Sequence, residues 1–184
     1  WDEENFRPPK GPPEESSKDF WNNKAQDFLK QKINTKLNTN RAKNVVIMIG
    51  DGMGLPSQMA ARSYLNDVNV ELSFEKFPYS GMSKVYCVNY QVPDSASTAT
   101  ALLTGVKNNF MVLALTADVN LRNCSAASDE SHQIDSILKY AQDAGKSTGI
   151  VTTTRVTHAT PAAAYAISAS RQWEGNDATP QGCR

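Results

Sequence analysis

The chain has 184 residues, of which 40% are hydrophobic, so it is long enough and apolar enough to bury a core. Nineteen basic residues balance nineteen acidic ones, which argues against a basic face for nucleic acid. No apolar run reaches bilayer length and the N-terminal residues lack a signal-peptide pattern, so we expect a mature, soluble chain. Three cysteines without Cys-x-x-Cys spacing, with two histidines, exclude a zinc finger.

The N-terminal region changes character near residue 18. Residues 1–17 are rich in proline and glutamate and few are apolar, which predicts an extended, solvated arm. From there apolar residues recur at helical spacing, and Asp19 can cap the first turn. The predicted amphipathic helix places these residues on one face: Trp21, Ala25, Phe28, Leu29 and Ile33.

A buried strand and a helix are predicted next. Residues 45–49 form a continuous apolar run that stops at Gly50, Asp51 and Gly52, as a strand in a parallel sheet would. Pro56 suits the first turn of a helix that continues over residues 58–65. The segment therefore predicts one strand-loop-helix unit.

Two more helices and a strand complete the predicted order. One helix follows Asp94 and ends near Gly105, and a second spans Ile134 to Ala141 with Gly145 as its stop. Residues 148–153 then predict a strand. This alternation indicates an α/β fold with a mainly parallel central sheet and helices on both faces, in which ligands gather beyond the carboxyl ends of the strands.

Four side chains could carry chemistry, and each also has an ordinary structural explanation. Asp51 lies between glycines, where a metal or phosphate could approach, although Asp-Gly is a common turn pair. Ser95 could be a nucleophile in the positive field of a helix N-terminus, or Asp94 or Ser95 could simply cap that helix. His158 could be a base, a ligand, an outer-shell residue or a loop histidine, and Arg171 could grip an anion or be solvated.

Three motifs change these odds because they occur together and in order. They are VVIMIGDGMG at 45–54, VPDSASTATALLTGVK at 92–107 and TTTRVTHATPAAAYA at 152–166, followed by Arg171. In this order they closely resemble the animal alkaline phosphatases, and the likeness covers nearly all of residues 18–184. The resemblance implies that residues 18–184 form the N-terminal part of a single alkaline-phosphatase-like catalytic domain.

The resemblance implies phosphate monoester hydrolysis with two zinc ions and one magnesium ion. Ser95 matches the serine that becomes a phosphoserine, and it would also contact zinc. Asp51 matches a metal-bridging aspartate and Thr160 a magnesium ligand. His158 matches an outer-shell position near magnesium, and Arg171 matches the arginine that holds two phosphate oxygens.

The chain also departs from the family. Most of the family's zinc ligands and a glutamate for magnesium belong to a later region that has no match here, so we expect residues 1–184 to be an incomplete, inactive part of a larger enzyme. Relatives carry glycines within the stretch that 108–114 matches, and alanine is common where Ser97 stands. The alternatives are an inactive fragment, a cell-surface binding glycoprotein, or a sulfatase or phosphodiesterase of the same superfamily.

The family's surroundings are implied as well. Cys124 and Cys183 match its disulfide pair, which leaves Cys87 free and agrees with an oxidising compartment. Asn123 begins an Asn-Cys-Ser glycosylation acceptor. The resemblance further implies a homodimer, secreted or held at the outer face of the plasma membrane by a lipid anchor alone.

Overall fold

The computed structural model describes residues 12–65 and 70–183. The chain divides into two units, Trp1–Gly81 and Met82–Arg184. Most of the predicted arm, residues 1–11, lies outside the described residues, and the arm stays a prediction there. The single-domain arrangement of residues 18–184 likewise stays a prediction.

The described residues of the first unit, 12–65 and 70–81, form two α-helices. Helix α1 spans Lys18–Asn34, as predicted, but Ser17 rather than Asp19 is its N-cap, because the Ser17 hydroxyl accepts a hydrogen bond from the Asp19 backbone N–H. Helix α2 spans Leu55–Tyr64 with proline in its first turn, which confirms the prediction at Pro56. Short 3-10 helices cover Pro13–Ser16 and Ser73–Lys76. Neither α-helix buries a residue in this unit.

Residues 82–183, the described part of the second unit, form four α-helices. They are α3 (Ser95–Thr104), α4 (Cys124–Ala127), α5 (Ile137–Asp143) and α6 (Ala159–Ala162), with 3-10 helices at Glu130–His132 and Gln181–Cys183. The predicted stops are confirmed, since Gly105 and Gly145 both adopt the left-handed conformation that follows a helix end. Ile134 lies before α5, which is shorter than the predicted helix.

The two predicted strands have no regular secondary structure. In the described part of the chain, neither 45–49 nor 148–153 is paired as a strand, and Leu113 with Ser168 and Leu115 with Gln133 form isolated antiparallel bridges. The apolar run that predicted the first strand is exposed, with 88% of the Met48 surface accessible. The described residues therefore do not form the predicted parallel sheet.

The core of the second unit brings α3 and α6 together. Small residues face each other across the contact, so the two helices can approach closely. The cluster consists of Ala96, Ala99, Leu103, Leu113, Ala159, Ala162, Ala163 and Ala164. This packing fixes the start of α3 relative to the start of α6.

No helix among residues 12–65 and 70–183 is both long and apolar enough to span a membrane.

Candidate active site

Asp94 fixes the N-terminus of α3 and so determines where Ser95 lies. Its carboxylate accepts hydrogen bonds from the backbone N–H groups of Ala96 (3.1 Å) and Ser97 (3.2 Å) and from the Ser97 hydroxyl (2.9 Å). These bonds satisfy donors that a helix start would otherwise leave unpaired. Ser95 is consequently the first residue of α3, half-buried at the positive end of the helix.

Arg171 contacts two of the other predicted residues of the second unit, Ser95 and His158. Its Nη1 donates to Ser95 Oγ at 2.7 Å and to Asp94 Oδ2 at 3.1 Å, while Nη2 lies 3.1 Å from His158 Nε2. Its guanidinium group thus contacts a carboxylate, a hydroxyl and an imidazole. Since about a quarter of the Arg171 side chain is accessible (23%), an anion can reach the cation.

Asp94 is held in its charged form. Burial raises the pKa of this carboxyl group, but hydrogen bonds from the backbone of Met111, Ser97 and Ala96 and from the Ser97 hydroxyl outweigh burial, so the pKa lies below its usual value. A negative charge therefore sits beside Arg171 at neutral pH. The ion pair orients the guanidinium group toward Ser95.

The backbone around Arg171 is fixed on two sides. The Arg171 N–H donates to the Met111 carbonyl (2.9 Å), and the neighbouring Ala169 carbonyl accepts from the Arg122 N–H (2.8 Å). The isolated bridge between Leu113 and Ser168 precedes this segment. Arg171 therefore lies in a loop that backbone hydrogen bonds hold in place, and the sequence predicts no helix or strand there.

An ion pair joins the segments that carry His158 and Arg171. Arg155 donates two hydrogen bonds to Glu174, at 2.9 and 2.7 Å, and the Thr157 hydroxyl donates a third at 2.6 Å. The Arg155 and Thr157 hydrogen bonds lower the pKa of Glu174 to about 2. The pair therefore connects the residues just before His158 to a residue just after Arg171.

The predicted metal ligands are distributed over both units. Thr160 lies half-buried in the first turn of α6, in the second unit. Asp51 lies exposed in a turn of the first unit, where Gly52 has a φ of 71°. Among the described residues no three His, Cys, Asp or Glu side chains gather into a metal-binding group. The hydroxyl and carboxylate oxygens suit magnesium, but they do not complete a site, and the metal roles of Asp51, Ser95 and Thr160 stay predictions.

The cysteines behave as the resemblance implied. Cys124 and Cys183 form a disulfide bond with their Cα atoms 5.1 Å apart, and Cys87 is a buried free thiol. Asn123 is exposed and caps α4 by accepting from the Ala126 N–H at 3.1 Å. Its glycosylation stays a prediction.

Comparison with known proteins identifies the class. The model of the alkaline phosphatase family matches residues 42–184. The chain is 44% identical over 185 aligned positions to the human alkaline phosphatase, tissue-nonspecific isozyme, and 43% identical over 179 positions to the membrane-bound alkaline phosphatase of Bombyx mori. The chain therefore belongs to the alkaline phosphatase family.

Solved structures agree with this assignment and support an alkaline-phosphatase-like fold. The alkaline phosphatase from the Antarctic bacterium TAB5 matches with 31% identity and a TM-score of 0.54, over 67% of this chain and 32% of that one. The cold-active enzyme from Shewanella sp. gives a TM-score of 0.55 at 31% identity, over 67% of this chain and 29% of that one. Alkaline phosphatases are generally metal-dependent, and one TAB5 variant has Mg bound in its M3 site.

The match covers much of this chain but a minor part of its relatives. The alignments take in 94% of the chain and 35% of the human relative, and 91% of the chain and 32% of the Bombyx mori relative. The chain thus spans about a third of the length of the relatives it matches.

Two residues of the site were not among the predicted site residues. The sequence predicts Asp94 only as a possible helix cap, and its second role, pairing with Arg171, joins residues 77 positions apart. Met111 makes its hydrogen bonds to Asp94 and Arg171 through its backbone, so its side-chain type gives no signal of them. The Asp-Ser order at the helix start was the clue to Asp94, and the departure from the family's glycines in 108–114 was the clue to the loop that contains Met111.

Proposed function

We propose that the complete protein hydrolyses phosphate monoesters, with Ser95 as the nucleophile. The observation that carries this proposal is the 2.7 Å hydrogen bond from Arg171 Nη1 to Ser95 Oγ at the N-terminus of α3. A hydroxyl group, a guanidinium fork and a positive helix end converge there. Together they suit an anion with several oxygens and a reactive central atom.

The proposed reaction has two displacements. Ser95 Oγ loses its proton and forms a bond to phosphorus while the bond to the leaving alkoxide breaks; the alkoxide takes up a proton and departs as the alcohol, which leaves a phosphoserine. Water then attacks phosphorus, the bond to Ser95 Oγ breaks, and inorganic phosphate leaves while the serine regains its proton. Arg171 would hold two phosphate oxygens and stabilise the charge that spreads over the transferring group. Two in-line displacements retain the configuration at phosphorus.

We infer two zinc ions and one magnesium ion as cofactors. Asp51, Ser95 and Thr160 would supply oxygen donors, and His158 would act near magnesium through water. When bound, zinc supplies the positive charge that lowers the pKa of a serine hydroxyl and stabilises entering and leaving oxygens. The other ligands would come from the remaining two thirds of the relatives' length, so residues 1–184 alone should show no zinc-dependent turnover.

In the complete protein we also expect a parallel sheet that includes residues 45–49 and 148–153. The exposure of their apolar side chains, such as Met48 and Val151, supports a role in burial against further chain. Helix α1 exposes Trp21, Phe28, Leu29 and Ile33, which supports a homodimer contact. The disulfide bond agrees with a secreted or lipid-anchored glycoprotein that uses Asn123.

The nucleophile can be tested by trapping the phosphoenzyme. The complete protein is incubated with a monoester that carries labelled phosphate and is quenched in acid, and Ser95→Ala should retain no label. Ser97→Ala is the matched control, because it removes a hydroxyl from the same helix turn and should leave labelling intact. Arg171→Ala should still label, but more slowly and with weaker phosphate binding. Labelling of Ser95→Ala equal to that of the wild type would refute the assignment.

The substrate class requires a separate comparison. We compare turnover of a phosphate monoester, a phosphate diester and a sulfate monoester that share one leaving group. Differences in rate then reflect the group that is transferred and not the group that leaves. We expect the phosphate monoester to have the highest kcat/KM. A preference for the diester or the sulfate would instead support one of the other activities of the superfamily.

A further inference from the structure

Met111 adopts a backbone conformation that a methionine seldom takes. Its φ is 64°, in the left-handed region, where the Cβ atom crowds the backbone and glycine is the usual residue. Ala114 and Arg122 also have positive φ, at 48° and 65°. Such conformations persist only where surrounding contacts fix them, and they often occur at functional sites.

The contacts of the Met111 peptide groups place this residue at the candidate active site. Its N–H donates to Asp94 Oδ1 at 2.9 Å, and its carbonyl accepts from the Arg171 N–H at 2.9 Å. One residue therefore binds both members of the Asp94–Arg171 ion pair through its backbone. Because φ is the rotation about the N–Cα bond, a change to a negative value would turn the Met111 carbonyl relative to its N–H, and it is the left-handed conformation that makes both bonds here.

Neighbouring residues hold this loop in place. Fully buried Asn108 donates to the Val112 carbonyl at 2.8 Å, and Asn109 donates to the Ala117 and Val119 carbonyls at 2.7 and 3.0 Å. The Phe110 N–H also donates to the Asn89 side chain at 2.9 Å. The segment on either side of Met111 is thereby fixed by side-chain amides, and these bonds offset the unfavourable backbone conformation.

We propose that Met111 is a positioning residue for phosphate binding, acting through its left-handed backbone on Asp94 and Arg171. The proposal rests on the proposed function in that phosphate is taken as the ligand of Arg171. The Met111 N–H fixes Asp94, Asp94 orients the Arg171 guanidinium group, and the Met111 carbonyl fixes the Arg171 backbone. The side chain of Met111 is not required for this role.

The test compares Met111→Val with Met111→Gly in the complete protein. A β-branched residue disfavours positive φ, so Met111→Val should shift the peptide and weaken binding of inorganic phosphate about tenfold, which equals about 1.4 kcal/mol. Glycine adopts the same φ without crowding, so Met111→Gly should bind inorganic phosphate nearly as tightly as the wild type does. Calorimetric titration with inorganic phosphate measures the affinity, and thermal unfolding shows whether each variant folds.

Ala114→Val is the matched control. Ala114 has a similar φ, but its N–H donates to the Thr100 hydroxyl at 3.1 Å and its carbonyl accepts from the Ile134 N–H at 3.0 Å. This variant should unfold at a lower temperature and bind phosphate as the wild type does. Equal loss of affinity in Met111→Gly and Met111→Val, or in Ala114→Val, would overturn the proposal, and so would unchanged affinity in Met111→Val.

If Met111→Val does not fold, the comparison of Met111→Gly with the wild type decides, and a loss of affinity near tenfold in that variant overturns the proposal. Monoester hydrolysis by the wild type is measured separately. A wild type that binds phosphate but hydrolyses no monoester contradicts the proposed function alone. The order of phosphate affinities among the Met111 variants tests the positioning role by itself.

Discussion

Replacement of Asp94 by alanine should destabilise the protein measurably, because one carboxylate serves three different parts of the site. It caps α3, it accepts from the Met111 N–H, and it pairs with Arg171. Loss of an N-cap costs about 1 kcal/mol. A lost hydrogen bond costs about 1 kcal/mol, and a partly exposed ion pair contributes up to about 1 kcal/mol. The sum predicts a decrease of about 2 to 3 kcal/mol in the free energy of unfolding.

Equilibrium urea unfolding of the complete protein, followed by far-UV circular dichroism, measures this decrease. Asp94→Asn is the control, since asparagine caps a helix as well as aspartate does but carries no charge for Arg171. It should therefore lose only the contribution of the ion pair, up to about 1 kcal/mol. A loss below about 0.5 kcal/mol in Asp94→Ala would refute the view that this carboxylate organises the site.

Two further predictions concern the ion pair of Glu174 and the disulfide bond. Because the pKa of Glu174 falls from its usual value of 4.5 to about 2, its contribution to stability is complete above pH 4.5 and disappears as the pH falls toward 2. Glu174→Gln should therefore flatten the acid limb of a stability-against-pH curve, and an unchanged limb would contradict this. Cys124→Ser removes a cross-link between residues 59 positions apart and should cost about 4 kcal/mol in the free energy of unfolding. The difference between the free energies of unfolding of the oxidised wild type and the variant measures that cost, and equal values would show that the disulfide bond contributes little.

Helices α3 and α5 of the second unit were predictable because their signals are local, whereas the short helices α4 and α6 were not predicted. Asp94 caps α3 and Gly105 ends it, and both were evident from residue type within a single short segment. Gly145 marked the end of α5 in the same way. Helix caps and helix-ending glycines act over three or four residues, so their effect does not depend on contacts with the rest of the chain.

The strands could not be read in this way. The run at 45–49 indicates that these side chains favour burial, but a strand exists only when another segment supplies its hydrogen-bond partners. In the described residues these side chains are exposed. The pattern thus records a preference for burial, whereas pairing depends on contacts remote in the sequence.

The candidate site was predicted in its side chains but not in its support. Ser95, His158 and Arg171 were identified from motif order, and the structure brings them together. The left-handed backbone at Met111 was not predictable from a residue that disfavours it. A stretch in which the related family carries glycines gave the only warning that this loop follows an unusual path.

The hydrogen bond from Arg171 to Ser95 has a consequence for any oxyanion that enters. Nη1 already has two acceptors, Ser95 Oγ and Asp94 Oδ2, so an arriving oxygen that binds this nitrogen must replace one of them or share the donor. Net affinity then reflects an exchange of partners rather than the full attraction of an unoccupied cation. Such an exchange favours rapid dissociation of inorganic phosphate, because Ser95 and Asp94 can re-form their hydrogen bonds to Arg171 as the phosphate leaves.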